Sequence, residues 1–325
     1  MKRMRTASRT SQVERIIIPT PFLVGDVNVY LISGDVNILI DTGPDTPEAK
    51  QALLQGLRGR GLETEDIDLL ILTHHHPDHI GLAGMFTGKT KTAGHPLLKP
   101  WLEKNEGLYE HIEAFFRPFF KRHGMDEEVI EQIVRQQERY REFVQPAEMT
   151  DELEETVQTP MLPGWTIIET PGHASTHISL LREEDGLLVA GDHVIKHISS
   201  NAIIEAPASA GAERPKTLLD YRQSLKKCAG TALIFSGHGD MITNPRTLIE
   251  KRLTAQLQKA DMFLSKLEQP MTVAELTKTV YGTMFKKQPD LTFSETLGHL
   301  DLLAQQGRVS VWIDGNKAVY ESLQL

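Results

Sequence analysis

Four potential metal ligands, His74, His76, Asp78 and His79, fall within six positions directly after the apolar run 67–72. Imidazoles two residues apart on an extended chain project to the same side and can hold one ion together. Asp78 and His79 follow at once and can reach a second ion nearby. Histidines packed this closely would repel one another on protonation. The spacing therefore predicts metal coordination rather than a purely structural loop.

Three more candidate ligands stand where later apolar runs end. His173 follows Pro171-Gly172, Asp192 follows Gly191, and His238 follows Gly237. A glycine just before a ligand allows the backbone to turn sharply toward a site. Each piece is weak evidence by itself, but together with the first cluster they predict two coordination spheres of imidazole and carboxylate.

The composition limits the kind of site. The chain has 325 residues with 13 His, one Cys and a net charge of -9. A single Cys can form neither an internal disulfide nor a thiolate zinc cluster. The acidic balance argues against a dominant nucleic-acid surface. No stretch approaches the ~20 apolar residues of a membrane-spanning helix, so we expect a cytoplasmic protein that makes no membrane contact.

The first half of the chain alternates strands and helices. Two apolar runs, 27–32 and 36–40, are joined by Ser33-Gly34-Asp35, which is typical of a hairpin. Thr46 followed by Pro47 predicts the start of a helix with one buried face. Further strands are expected at 67–72, 165–168, 178–181, 187–190 and 232–235.

Residues 99–157 change to helical spacing and predict an inserted helical hairpin, broken at Gly124. Its aromatic residues fit either the packing face of the hairpin or a lid that faces the substrate, and the sequence leaves both interpretations open. Near the N-terminus, four basic residues precede the first acidic residue, Glu14. This composition predicts a flexible N-terminal tail over 1–14.

Residues 251–325 predict a separate small unit. Thr272-x-x-Glu275 and Thr292-x-x-Glu295 are both typical of capping boxes that open helices. Two short strands follow, joined by a hairpin turn over 314–317. The order of helix, helix and two-stranded wing is that of a winged-helix-like domain. This unit has nine Lys or Arg against eight Asp or Glu, so packing or homodimerisation is favoured over nucleic-acid binding.

The five-part ligand pattern over 15–250 resembles the metallo-β-lactamase fold superfamily of metal hydrolases. That resemblance implies an α+β fold, an αββα sandwich with the metal site at one edge between two mixed sheets. It assigns one metal to His74, His76 and His173 and a second to Asp78, His79 and His238, with Asp192 bridging. Asp41 matches a further acidic position of the family that would accept a hydrogen bond from a ligand His.

The resemblance also implies chemistry. Two divalent ions, expected to be zinc although iron or manganese would suit the same ligands, would share a bridging hydroxide as nucleophile. Asp78, His79 and Asp192 are the expected catalytic residues. His177 and His197 are candidates for the substrate pocket, whereas His75 and His193 are expected to point away from the metals.

Asp192 at the bridging position, with no Cys in the second sphere, argues against an antibiotic-degrading lactamase. The motif 74–81 with a winged-helix-like end resembles the lactamase-β-2-type branch, which contains endoribonucleases. The primary hypothesis is a hydrolase of a small ester, thioester or lactone. The alternative is a metal-dependent endoribonuclease of single-stranded RNA, and an effector-binding protein without strong catalysis is a third reading.

Overall fold

The computed structural model describes residues 12–155 and 160–323. Its twelve strands are β1 Val13–Ile18, β2 Val27–Ile32, β3 Ile38–Ile40, β4 Leu69–Leu72, β5 Lys91–Gly94, β6 Asp151–Glu152, β7 Trp165–Glu169, β8 Ile178–Arg182, β9 Leu187–Val189, β10 Leu233–Phe235, β11 Val309–Asp314 and β12 Lys317–Ser322. Its ten helices are α1 Pro47–Arg58, α2 Pro77–Ile80, α3 Lys99–Leu102, α4 Glu106–Arg122, α5 Glu127–Glu142, α6 Thr217–Cys228, α7 Pro245–Lys266, α8 Val273–Tyr281, α9 Thr283–Lys287 and α10 Pro289–Gln305.

Two mixed sheets form the centre of the fold. The first has the order β1-β2-β3-β4-β5-β6, with antiparallel pairs up to β3 and parallel pairs beyond it. The second has the order β10-β9-β8-β7, with only the β10–β9 pair parallel. Alternate residues of β3 and β4 pack against the second sheet or against α1, as the two-residue period of a strand requires. The result is the expected sandwich with helices on both outer faces.

Local signals in the sequence place several elements correctly. Thr46 caps α1, because its side chain accepts a hydrogen bond from the Ala49 N–H at 3.1 Å, and Pro47 is the first helical residue. The strand predicted at 27–32 is β2, and the run 67–72 contains the fully buried β4. The inserted helices are present as α4 and α5, separated by a turn at Gly124, whose φ of 83° lies in the left-handed region.

Three predictions about boundaries are wrong. Residues 1–11 lie outside the described part of the chain, but Val13 and Glu14, assigned to the tail, pair with β2 in strand β1. The division at 250/251 falls inside α7. Thr292-x-x-Glu295 is not a capping box: α10 already begins at Pro289, and the Thr292 hydroxyl donates back to the Gln288 carbonyl at 2.7 Å.

The C-terminal elements share their core with the rest of the molecule. Thr272 and Glu275 form the predicted capping box of α8. One hydrophobic cluster joins α10 to α4, α5, α6, α7 and the outer face of the second sheet. A single bridge between Met271 and Tyr320 ties the β11–β12 hairpin to the start of α8. Within residues 12–155 and 160–323, no helix combines the length and apolar character needed to cross a bilayer.

Candidate metal centre

Loops at one edge of the two sheets bring all seven predicted ligands together. His74 follows β4, α2 carries Asp78 and His79, His173 lies between β7 and β8, and Asp192 follows β9. His238 follows β10 and forms an isolated antiparallel bridge with Val27 of β2. This bridge joins the two sheets at the site, so ligands separated by more than 160 residues are held on one frame.

The first group consists of His74, His76 and His173. His74 Nε2 and His173 Nε2 each lie 3.0 Å from His76 Nδ1. Three ring nitrogens at this spacing have no common proton donor, and their lone pairs converge on one small volume. The arrangement is that of three ligands around one cation.

The second group consists of Asp78, His79 and His238. Asp78 Oδ2 lies 3.3 Å from His238 Nε2, and the ligand atoms of all three residues are close enough to hold one ion. Asp192 stands between the groups, with Oδ1 3.2 Å from His79 Nε2 and Oδ2 3.3 Å from His238 Nε2 and 3.8 Å from His173 Nε2. Its carboxylate therefore borders both groups.

Hydrogen bonds at the far side of four rings fix which nitrogen faces the centre. The Nδ1 atoms of His79, His173 and His238 lie 2.7–2.9 Å from oxygens that can only accept: Asp41 Oδ2, the Asn201 carbonyl and the Asp26 carbonyl. His74 Nδ1 lies 3.0 Å from Thr73 Oγ1. The Thr73 hydroxyl donates its own proton to Asp41, so it too acts as an acceptor here. In its neutral form each of the four rings therefore carries its proton on Nδ1 and presents the Nε2 lone pair to the centre.

Buried atoms without hydrogen-bond partners are a second reason why these residues fit a pair of divalent cations. Among the described residues, His79 Nε2, His238 Nε2 and Asp192 Oδ1 are buried and lack a hydrogen-bond partner. Buried polar atoms without partners are costly. Cations at this position would satisfy all three atoms, and a donor set of imidazole nitrogen and carboxylate oxygen suits zinc, iron or manganese.

Asp41 organises the inner side of the centre. Its Oδ1 accepts the Thr73 N–H at 2.8 Å, and its Oδ2 accepts the Thr73 hydroxyl at 2.9 Å as well as His79 Nδ1. Asp41 has a φ of 64°, a left-handed conformation that Asp tolerates better than most residues. The hydrogen bond expected from a ligand His to Asp41 is present, and it comes from His79.

The electrostatic environment differs between the two groups. Burial and the neighbouring imidazoles of His79 and His76 hold the pKa of His74 well below its usual range, so that ring is neutral and ready to bind a cation. Burial also acts to lower the pKa of His79, but the carboxylates of Asp192, Asp41 and Asp78 outweigh it and raise that pKa. A cation must therefore displace a proton from His79, which makes binding pH-dependent.

The structure gives the two candidate pocket residues different places. His197 is exposed and lies beside Gly239, next to the ligand His238. His177 does not line a pocket, because it is fully buried and both ring nitrogens are engaged, Nδ1 with Thr170 Oγ1 and Nε2 with the Asp192 N–H. His75 stacks on Trp101 with ring centroids 4.0 Å apart, and its Nδ1 lies 3.0 Å from Thr176 Oγ1.

Sequence reasoning missed the residues that support the ligands. Tyr221 of α6 donates from its hydroxyl to the His193 carbonyl at 2.9 Å, and Ser200 donates from Oγ to the Asp192 carbonyl. The apolar spacing of α6, with Leu218, Tyr221 and Leu225 buried, is a signal that could have revealed that helix. Nothing local marks Asn201 or Asp26, which act through their backbone carbonyls.

Comparisons with known proteins identify the family to which the chain belongs. The family model of the metallo-beta-lactamase superfamily matches residues 23–238. The chain is 35% identical over 320 residues to the probable metallo-hydrolase YqjP of Bacillus subtilis, covering 97% of this chain and 99% of that one. Metallo-beta-lactamase family protein TTHA1429 from Thermus thermophilus superposes with a TM-score of 0.79 at 28% identity, covering 95% of this chain and 98% of that one.

Two relatives of lower sequence identity carry names other than metallo-hydrolase. An atrochrysone carboxyl ACP thioesterase of Aspergillus fumigatus is 24% identical over 79% of this chain and 48% of its own length. A beta-lactamase-like protein 2 homolog of Caenorhabditis elegans is 25% identical over 81% of this chain and 74% of its own length. The chain belongs to the metallo-beta-lactamase superfamily, and it is a metal-dependent hydrolase.

Proposed function

We propose that the chain hydrolyses a small ester, thioester or lactone at a pair of divalent cations, with zinc as the expected metal. The observation that carries this proposal is the position of Asp192, whose two carboxylate oxygens lie 3.2 and 3.3 Å from His79 Nε2 and His238 Nε2 and which also borders His173. One carboxylate shared between two groups of ligands favours two ions over one.

When bound, two such cations lower the pKa of water to about 7 and so supply a hydroxide nucleophile at neutral pH. The protein would hold the ligand side chains in fixed positions and keep water away from most of them. His74, His79 and His238 are completely buried, whereas His76, Asp78 and His173 retain some exposure. The substrate is therefore expected to approach from the side of these three residues, with Asp78 the carboxylate nearest to the entering group.

The size of the substrate is inferred from the surroundings of that open side. Phe22 contacts Tyr140 and Phe143 edge-on, with ring centroids 5.7 and 5.3 Å apart. Burial raises the pKa of the Tyr140 phenol and the Asp78 carboxylate adds to that rise, so we expect this aromatic group to border the approach. The net charge of -9 disfavours a polyanion. The thioesterase name of one relative, although it matches only half of that protein, favours an acyl substrate.

The alternative, a metal-dependent endoribonuclease of single-stranded RNA, is favoured by the order of elements from α8 to β12 and by the beta-lactamase-like protein 2 relative. The charge balance argues against RNA binding, because residues 251–325 contain nine basic and eight acidic residues. Counterion release from phosphates would need a local excess of Lys and Arg.

The test is a substrate panel on the metal-loaded protein together with metal analysis. We expect about two ions per chain, turnover of p-nitrophenyl esters, acyl thioesters or lactones, and no cleavage of labelled single-stranded RNA. His238→Ala should abolish turnover with the fold retained by circular dichroism, while His95→Ala, which removes an imidazole outside the centre, should retain it. RNA cleavage without ester, thioester or lactone turnover would reverse the order of the two hypotheses.

A further inference from the structure

Strand β11 forms an open edge of the β11–β12 hairpin and carries exposed apolar side chains. Three consecutive residues, Val311, Trp312 and Ile313, are 52%, 39% and 59% exposed. The other strand, β12, lies on the shared hydrophobic core through Ala318 and Tyr320. In β11 only the first residue is buried. The core therefore covers β12 and leaves most of β11 uncovered.

The register of the hairpin determines which backbone groups of β11 are free. Just before the strand, the Arg308 carbonyl accepts the Leu323 N–H at 2.9 Å. Pairs that exchange hydrogen bonds alternate with pairs that do not in an antiparallel ladder, so the even-numbered residues of β11 bond to β12. The N–H and C=O groups of the odd-numbered residues in 309–313 therefore point to the open edge.

The usual protection of an edge strand is missing from β11. Edge strands are commonly kept from pairing by a charged residue, a proline or a bulge. Residues 309–313 include no charged residue and no proline, and β11 pairs with β12 through six consecutive residues without a bulge. Within the part of the chain that the structure describes, no strand except β12 pairs with β11. Such an edge is suited to pairing with one more strand.

The charges at the two ends of β11 favour a second copy of the same strand as that partner. An antiparallel pairing about a two-fold axis through Val311 brings the odd-numbered residues of both copies together, so the free N–H and C=O groups of each edge meet. It also places Arg308 opposite Asp314 of the partner subunit, once at each end. Opposite charges directly across two strands are favourable. No other register opposes these two residues.

We propose that the chain forms a homodimer in which β11 pairs antiparallel with β11 of a second copy, so that the two hairpins make one four-stranded sheet. Val311 and Ile313 of both copies would cover one face of the junction, and Trp312 the other. Two-fold pairing occupies both open edges, so the assembly stops at the dimer. The inference requires no assumption about the substrate.

The first test is sedimentation equilibrium of the full chain. Two paired six-residue strands make an interface at the small end of specific interfaces, so we expect a Kd on the order of 10 µM. Concentrations from well below to well above that value should give a monomer–dimer equilibrium. A protein that stays monomeric throughout would overturn the proposal. So would continued growth into larger species, because a closed pair cannot extend.

The second test places a charge on the edge. Ile313→Lys should raise the Kd of the dimer about tenfold or more, because a lysine on an edge strand opposes pairing. The matched control is Leu257→Lys, which changes another exposed apolar residue, on α7 and away from β11, and should dimerise like the wild type. Circular dichroism should show the native fold in both variants. An equal Kd in all three proteins would place the interface elsewhere and refute the pairing.

The third test concerns the register. Arg308→Asp and Asp314→Arg should each weaken the dimer, because like charges then face each other at both ends. The double variant restores an opposite-charge pair and should recover the affinity of the wild type to within a few fold. Arg308 also bonds Asp261 in its own chain, and the second substitution does not repair that loss. Recovery therefore reports on the pairing itself, and a double variant no better than either single one would overturn the proposal.

Discussion

His177 Nε2 accepts a hydrogen bond from the backbone N–H of Asp192 at 3.2 Å. Because His177 Nδ1 is held by Thr170 Oγ1 at 2.8 Å, the ring is fixed in the tautomer that leaves Nε2 free to accept. The residue that carries the shared carboxylate is thus positioned through its main chain by a histidine that binds no cation itself.

His177→Leu should weaken the binding of the metal pair about 10- to 100-fold, the range seen when partners behind ligands are removed. The reason is that the Asp192 N–H loses its acceptor and the carboxylate loses its fixed position. Metal competition against a chromophoric chelator measures the effect. His177→Gln, which keeps an acceptor, should recover part of the affinity. A change of KM alone, with metal affinity unaltered, would return His177 to the substrate pocket.

Asp41→Asn should also lower metal affinity, by about 10- to 100-fold. Asp41 Oδ2 accepts hydrogen bonds from both His79 Nδ1 and the Thr73 hydroxyl, and an amide cannot accept at both oxygen positions. The same chelator competition checks this. Asp35→Asn, an exposed carboxylate in the loop between β2 and β3, is the control and should bind metal like the wild type.

Gly172→Ala should cost both stability and metal binding. A Cβ atom at Gly172 would lie 2.3 Å from the Cα and N atoms of Tyr221 in α6, and the residue has a φ of 127°. The adjacent His173 loop or α6 must then shift. Gly164 has a φ of 80° and open space around it, so Gly164→Ala should show only the backbone strain of roughly 1–2 kcal/mol. Equal effects of the two substitutions, by urea unfolding and metal titration, would contradict this account.

His123 should make the protein sensitive to acid. Burial, with Arg214 and Arg122 adding, lowers the pKa of His123 from 6.5 to about 4, so the unfolded state binds the proton more readily. Its contribution to stability is complete above pH 6.5 and is lost as the pH falls toward 4. At pH 5 the loss relative to pH 7 is about 2 kcal/mol.

His123→Phe should remove that loss, because Phe119, Phe293 and Tyr320 surround the ring and tolerate an aromatic replacement. Urea unfolding at pH 7 and pH 5 measures it. The variant should lose about 2 kcal/mol less than the wild type between the two values. Equal losses in both proteins would show that His123 is not the group that titrates.

Several of the predicted ligands were accessible to sequence reasoning because they follow closely on a strand. His74, Asp192 and His238 all stand just beyond buried apolar runs, and strand ends at one sheet edge converge in any such sandwich. The capping box predicted at Thr292 was wrong for an equally local reason. Pro289, an acceptable first residue of a helix, starts α10 one turn earlier than the capping-box pattern indicates.

The residues that surround the predicted ligands could not be predicted from the sequence in the same way. Strand β5 covers only Lys91–Gly94 and has no clear alternation, and the first two residues of β1, Val13 and Glu14, fall in the predicted tail. Asn201 and Leu291 are 90 positions apart in the chain, yet the Asn201 side chain donates to the Leu291 carbonyl beside His173. No spacing rule along the chain connects residues that meet only through tertiary packing.

The helices α4, α5, α6, α7 and α10 share one core. That core limits where part of this chain could be replaced by the corresponding part of a relative. A fusion or swap made at residue 250 would divide α7 and separate α10 from the helices that cover its buried face. It would also remove the Leu291 carbonyl, which accepts a hydrogen bond from Asn201 behind His173. A segment exchanged between relatives would therefore have to carry α4, α5, α6, α7 and α10 together, so that the helices that pack on α10 stay with it.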